Sequence, residues 1–300
     1  MWREVGQVGQ VGRVGRVGRS RGLLGLALAV LWVASGASAQ NAACDRGCLE
    51  SMLDAYVDAV AARAPSRLTV APDTVFTENG QRLELGDGLW HTATGRGRYA
   101  LRLADVEAGQ AVLMGTVREA DTPAILVVRL KVRDRRVTEI ETLLGRKGAS
   151  KMAGFDFYNP AALLATKDHD WEVPLPAGQR PTRAYMNEHA NRYFSAFSKD
   201  QTAPDANYAT PCHRWEGGLQ TTVKNPNCSP RGTGLVMNHT HRRFPVTDTE
   251  TGATAGFILF GGGLPDVHMF KFDKDGKIYS IQAVFAGRVD AETQIWPDEK

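Results

Sequence analysis

The sequence lacks most of the signatures that would announce a chemistry. It contains no G-x-S-x-G elbow, no P-loop and no strand-linked G-x-G-x-x-G, so covalent serine hydrolysis and nucleotide-cofactor chemistry have no support. The glycine run Gly261, Gly262 and Gly263 reads as a turn between strands. Charge of one sign is also scarce. The formal net charge is +3, and residues 1–39 supply five Arg and one Glu, which leaves 31 basic and 32 acidic residues beyond them. Without a basic excess there is no electrostatic footprint for nucleic acid, and an anionic membrane surface is not favoured. After residue 39 no apolar run approaches a bilayer span, so no stable membrane anchor is expected. Cysteine is limited to four residues. What remains, 43% hydrophobic and 23% charged residues, is globular composition and excludes a disordered, collagenous or coiled-coil chain.

Compartment is written in the first forty residues. An Arg-rich stretch with a Val-Gly repeat, itself reading as an overlong n-region or a mistaken start, runs into the apolar segment 22–34 and ends at Ala37-Ser38-Ala39. A basic n-region, a short apolar run and an A-x-A end predict a secretory signal cleaved before Gln40, and a periplasmic or secreted mature protein. All four cysteines follow that point, and an even count in an exported chain favours disulfides. Cys44 and Cys48 lie four apart at a helix start, while Cys212 and Cys228 bracket a fifteen-residue loop. These two local pairs are expected. A zinc reading of C-x3-C is weaker, because no second pair or His couple follows at ligand spacing. Paired cysteines cannot act as nucleophiles.

The mature chain reads as one unit written twice. Leu49, Met52, Leu53, Tyr56, Val57, Val60 and Ala61 form one apolar face of a helix that Pro65 ends, and Tyr185, Met186, His189, Ala190, Tyr193, Phe194 and Phe197 repeat the stripe. Strands are predicted over 112–119, 124–133 and 138–144, then over 240–247, 254–260, 268–273 and 278–286, joined by short meander turns. Tyr56 faces Tyr193, Glu78-Asn79-Gly80 faces Glu216-Gly217-Gly218, and Leu130-Lys131-Val132 faces Phe270-Lys271-Phe272, at offsets of 137, 138 and 140. A repeat of that length is domain-sized, so the fold expected is α+β, two tandem domains formed by internal duplication. The boundaries are residues 1–39 for the signal peptide, 40–147 for the first domain, 148–181 for the linker and 182–300 for the second domain. Trp171 and the patch 155–158 indicate a linker that packs on a domain.

A helix, a short loop bearing an acidic residue and a long antiparallel meander resemble the nuclear transport factor 2-like, or SnoaL-like, fold. That resemblance implies two cone-shaped α+β barrels, helices packed on a curved antiparallel sheet, each with a deep pocket. Members of the superfamily include isomerases, dehydratases, polyketide cyclases and non-catalytic binding modules. More narrowly, Phe76-Thr-Glu-Asn-Gly-Gln81 with Gly86-Asp-Gly-Leu-Trp90, and Arg242-Arg-Phe-Pro-Val246 followed by Asp248, Glu250 and Gly252, is similar to secreted bacterial and fungal proteins grouped as domain of unknown function 8021. The similarity extends over about residues 44–290. The family pattern at the second turn is Glu-Asn-Gly, and Gly217 stands where that Asn would be; if the amide serves a ligand, the second pocket is the weaker one.

Candidate chemistry follows from these positions. Glu78 and Glu216 recur at one repeat position, where a carboxylate at the mouth of an apolar pocket gains a raised pKa suited to acid/base work; the competing role is to pin the turn entering the sheet. On a regular strand His239, His241 and Arg243 would share a face, with Arg242 opposite. His241 is then a proton shuttle beside Glu216, and Arg243 and His239 bind substrate; H-x-H with His268 is a weaker metal reading, and exposed ion pairing is the bland one for the arginines. Among the aromatics, Tyr56, Trp90 and Tyr208 are the expected pocket lining, although most such residues pack cores. His91 and His189 read as isolated, satisfied histidines. The reading is an exported, cofactor-free lyase or isomerase acting by dehydratase-like acid/base chemistry on a small organic substrate, aromatic or polyketide-like. The alternative is a non-catalytic secreted small-molecule-binding protein using the same pocket. Either is a monomeric pseudo-dimer or a homodimer.

Overall fold

The computed structural model describes residues 43–288 except 153, 200 and 201, together with Trp296. The predicted signal segment, its cleavage point before Gln40 and most of 289–300 lie outside the described residues. No helix among the described residues is long and apolar enough to cross a membrane.

The first half runs α1 (Arg46–Ala61), β1 (Val70–Glu78), β2 (Gln81–Leu83), α2 (Leu89–Thr92), β3 (Ala93–Asp105), β4 (Gln110–Glu119), β5 (Thr122–Arg133) and β6 (Arg136–Gly145). A small hairpin, β7 (Lys151–Met152) and β8 (Phe155–Asp156), opens the connection, which continues through a 3-10 helix at Ala162–His169. The second half runs α3 (Arg183–Ser195), β9 (Tyr208–Glu216), β10 (Leu219–Gln220), β11 (Thr240–Asp248), β12 (Ala253–Phe260), β13 (Leu264–Phe272) and β14 (Ile278–Phe285). Both helices begin at side-chain caps, Asp45 accepting from the Cys48 N–H and Thr182 from the Tyr185 N–H. The two sheets have one topology, β2-β1-β6-β5-β4-β3 and β10-β9-β14-β13-β12-β11, each antiparallel except for the parallel pairs β1–β6 and β9–β14. Internal duplication is therefore written in the strand order as well as in the sequence. Both disulfides form as expected, Cys44–Cys48 and Cys212–Cys228.

Alternation along the strands divides the core in three. Leu113, Leu126, Val128 and Ile140 form a buried cluster with Leu53, Tyr56 and Val57 of α1. Ile258, Phe270, Ile281 and Phe285 do the same with Met186, Tyr193 and Phe194 of α3. The opposite faces meet between the sheets, where Met114, Val127 and Leu143 join Ala255, Phe257, Met269 and Val284, and the connection adds Leu163 and Trp171. Such strands are apolar on both faces, which explains their near-continuous hydrophobic runs.

A reciprocal exchange of charges ties the halves together. Arg46 at the start of α1 donates to both carboxylate oxygens of Asp248 at the end of β11, at 2.6 and 3.0 Å, and to Glu250 at 2.8 Å. Arg183 at the start of α3 does the same to Asp105 at the end of β3, at 2.6 and 2.7 Å. Each Asp also accepts a backbone N–H from the opposite strand end, Asp248 from Ala104 and Asp105 from Thr247. Asp248 and Glu250, part of the family-like motif, thus serve the junction.

Candidate active site

The interior of the second half holds a connected set of polar groups. Asp266 and His268 are two apart on β13 and point to the α3 side, where the His268 Nδ1 lies 2.6 Å from Asp266 Oδ2. His268 Nε2 meets the Tyr193 hydroxyl of α3 at 3.4 Å. Arg214 of β9 donates to that hydroxyl at 3.2 Å and pairs with Glu216, two residues on, at 3.2 Å. The chain therefore runs Glu216–Arg214–Tyr193–His268–Asp266. Its inner end is fully enclosed, whereas the Arg214 side chain is 12% exposed.

Burial sets the proton affinities. It pushes the Glu216 carboxyl above its ordinary value, against the opposing pull of Arg214 and His268. It pushes the Asp266 carboxyl well up and the His268 imidazole down to about 3. The Tyr193 hydroxyl is also pushed up by burial, with Arg214 pulling the other way. His239 sits on the same side, packed against Phe260 and Phe197 at ring separations of 4.1 and 4.7 Å. Burial holds it down to about 3, its Nδ1 accepts the Gly261 N–H, and its Nε2 has no partner among the described residues. Asp266 Oδ1 is likewise buried without one. Unpaired buried polar atoms mark a place for water or ligand.

The first half keeps only part of this set. Glu78 lies beside Thr142, which pairs with Val128; Glu216 lies beside Ala283, which pairs with His268. The register thus aligns Val128 with His268, Leu126 with Asp266 and Phe76 with Arg214. Tyr56 and Glu78 remain, but Tyr56 meets the Trp90 ring edge-on at 5.5 Å. Glu78 accepts the Leu89 N–H at 2.8 Å and pairs with Arg146 at 3.1 Å, which pins α2 to the sheet.

The other expected residues are spread more widely. Tyr208 donates to Asp205 at 3.2 Å, and burial pushes its hydroxyl well up. The expectation that His239, His241 and Arg243 share a face is corrected by a bulge. Thr240 pairs with Leu259 and Arg243 with Phe257, three residues against two, and His241 takes φ +51°. His239 consequently faces α3, whereas Arg243 crosses to the first half and pairs with Glu141 at 2.5 Å, beside Arg129. His241 lines the same narrow cleft as Arg243 and Glu141. Among the described residues no three His, Cys, Asp or Glu side chains are grouped to hold a metal, so His239, His241 and His268 do not converge. His189 accepts the Asn207 N–H, and exposed His91 meets Asp87.

Sequence reasoning passed over Arg214, Asp266 and the pairing role of Tyr193. The available signal was Asp-x-His on a strand, a spacing that puts both groups on one face. The Gly217 substitution also has a structural cause. Asn79 Oδ1 accepts the Leu144 N–H, a turn-to-strand tie, whereas a Cβ at Gly217 would lie 1.8 Å from the Phe157 carbonyl oxygen, where the connection crosses.

Residues 179–285 match the family Domain of unknown function (DUF8021), as the sequence resemblance anticipated. Comparison with curated proteins gives no match. Solved structures similar to part of this chain include a nuclear transport factor 2-like protein of unknown function from Burkholderia xenovorans, at 17% identity, covering 33% of this chain and 83% of that one, TM-score 0.28. A protein with a cystatin-like fold from Methylobium petroleophilum is 14% identical, with coverages of 47% and 99% and TM-score 0.30. A steroid delta-isomerase from Pseudomonas aeruginosa is 17% identical, with coverages of 36% and 82% and TM-score 0.26. The tandem reading stands on the repeated strand order and the match to the second half.

Proposed function

We propose that this protein is an exported isomerase or lyase whose second half, a cone-shaped domain, moves a proton on a small carbonyl compound. The observation that carries the reading is the Glu216–Arg214–Tyr193–His268–Asp266 chain, present in one half and replaced by Phe76, Leu126 and Val128 in the other. Glu216, raised by burial, is the base: its carboxylate takes a proton from the carbon beside the substrate carbonyl. Tyr193 donates to the oxygen as negative charge develops there, and Arg214 beside it supports that charge. His268, fixed by Asp266, orients the phenol. Return of the proton from Glu216 to another carbon completes an isomerisation; its delivery to a departing hydroxyl completes a dehydration. Tyr208 and His239 border the same interior, and aromatic walls suit a ring-bearing substrate. The first half takes no part in this proton transfer.

Native mass spectrometry of the mature protein purified from its own compartment tests this reading. A co-purifying organic carbonyl compound that wild type converts and Glu216→Gln does not, with stability held within about 1 kcal/mol, supports it. A bound compound that leaves unaltered would instead make the protein a carrier.

A further inference from the structure

A groove of about 630 Å³ opens on the first half, away from the polar chain, between β3, β4 and the connection after β8. Its geometry begins with Gly97. A Cβ there would fall 2.0 Å from Thr116 Oγ1, so only glycine permits β3 to close on β4 at this point. The register then slips between Arg96 and Ala100, a bulge that turns Arg98 outward. Tyr99 is buried at this bulge, and Val117 and the half-exposed Leu164 add apolar wall. Tyr158, whose hydroxyl donates to the Pro123 carbonyl, ties the far side to β5.

The charge around this groove is of one sign. Arg96, Arg98, Arg118 and Lys147 line it, and no carboxylate does. Arg96 is neutralised by Asp54 and Asp58, and Arg118 by Asp121. Arg98 and Lys147 have no acidic partner among the described residues. An apolar trough of ligand size, bordered by two uncompensated cations, fits a molecule with an apolar body and one anionic head.

We propose that this groove binds a small amphipathic carboxylate, the head between Arg98 and Lys147 and the body along Tyr99, Val117 and Leu164. Titration calorimetry with decanoate and with naphthoate tests it, using decanol as the uncharged control. Saturable binding of a carboxylate, weakened by salt and about tenfold or more by the double variant R98E/K147E, is the expected result. Both residues are exposed, so an unchanged melting temperature will show that the variant folds. Leu164→Asp, on the apolar wall, is expected to weaken binding as well. Failure of both carboxylates to bind, equal binding of decanol, or full affinity in R98E/K147E would overturn the proposal. So would loss of binding in Glu216→Gln, which would move the ligand to the second half.

Discussion

Glu78 and Glu216 occupy one position of the repeat and have acquired different surroundings. Both are buried and each pairs with one arginine, Glu78 with Arg146 and Glu216 with Arg214, but Glu78 also accepts the Leu89 N–H, whereas burial raises Glu216. A sequence reading alone assigns the two carboxylates equal weight; what separates them is Phe76 against Arg214, and Leu126 and Val128 against Asp266 and His268. The histidines make a prediction at the same scale. Burial lowers His239 and His268 from about 6.5 to about 3, so between these values the unfolded chain binds more protons and stability falls as pH falls. Glu216 and Asp266, both raised, act with the opposite sign above the ordinary carboxylate range. His239→Phe removes one proton-binding difference without touching the polar chain. Its melting temperature is expected to decline less than that of wild type between pH 6.5 and 3, in a calorimetric pH series. An identical decline would mean that His239 is charged in the folded protein.

Among the elements, those with clean periodicity were legible before the structure. The stripes of α1 and α3, the strands β4 to β6 and β11 to β14 all fall where apolar spacing put them, within a few residues. Strands β1, β3 and β9 were not legible. β1 holds Pro72 and Asp73, β9 holds Pro211, and β3 opens with Gly95, Arg96, Gly97 and Arg98, which confines its apolar alternation to Tyr99, Leu101 and Leu103 in its second half. β3 and β11 are also bulged, which breaks the period of two and sends His241 and Arg243 away from His239. The connection gives a second prediction. Gly217→Ala, at φ +55° and against the Phe157 carbonyl, is expected to destabilise the protein by more than about 1 kcal/mol and to expose 150–170 to limited proteolysis. Gly148→Ala has open space around its Cβ and is the control for the steric contribution. Equal behaviour of the two would remove the close approach as the cause of the substitution.

For the whole molecule, the halves are related as partners in a symmetric dimer would be, with Arg46–Asp248 answered by Arg183–Asp105 and the sheet faces buried against each other. Asp248 takes hydrogen bonds from Arg46 and from the backbone of Ala104, Glu250 and Thr251, so Asp248→Ala leaves several buried donors unmet. Urea unfolding is expected to find a loss of about 3–5 kcal/mol. A loss under about 1 kcal/mol would place the strength of the junction in its apolar contacts alone. Because the paired sheet face is already used within the chain, the protein is expected to sediment as a monomer. The two halves also differ inside, Phe76, Leu126 and Val128 of one standing where the other has Arg214, Asp266 and His268, and that asymmetry is the centre of the functional reading. Its most direct measurement is carbon-bound hydrogen exchange in deuterated water, followed by mass spectrometry over a panel of cyclic and aromatic carbonyl compounds, with wild type, Glu216→Gln and Glu78→Gln side by side. Deuterium incorporation by wild type and Glu78→Gln but not by Glu216→Gln is the predicted result; equal incorporation by all three, or none by wild type on any compound, would contradict it.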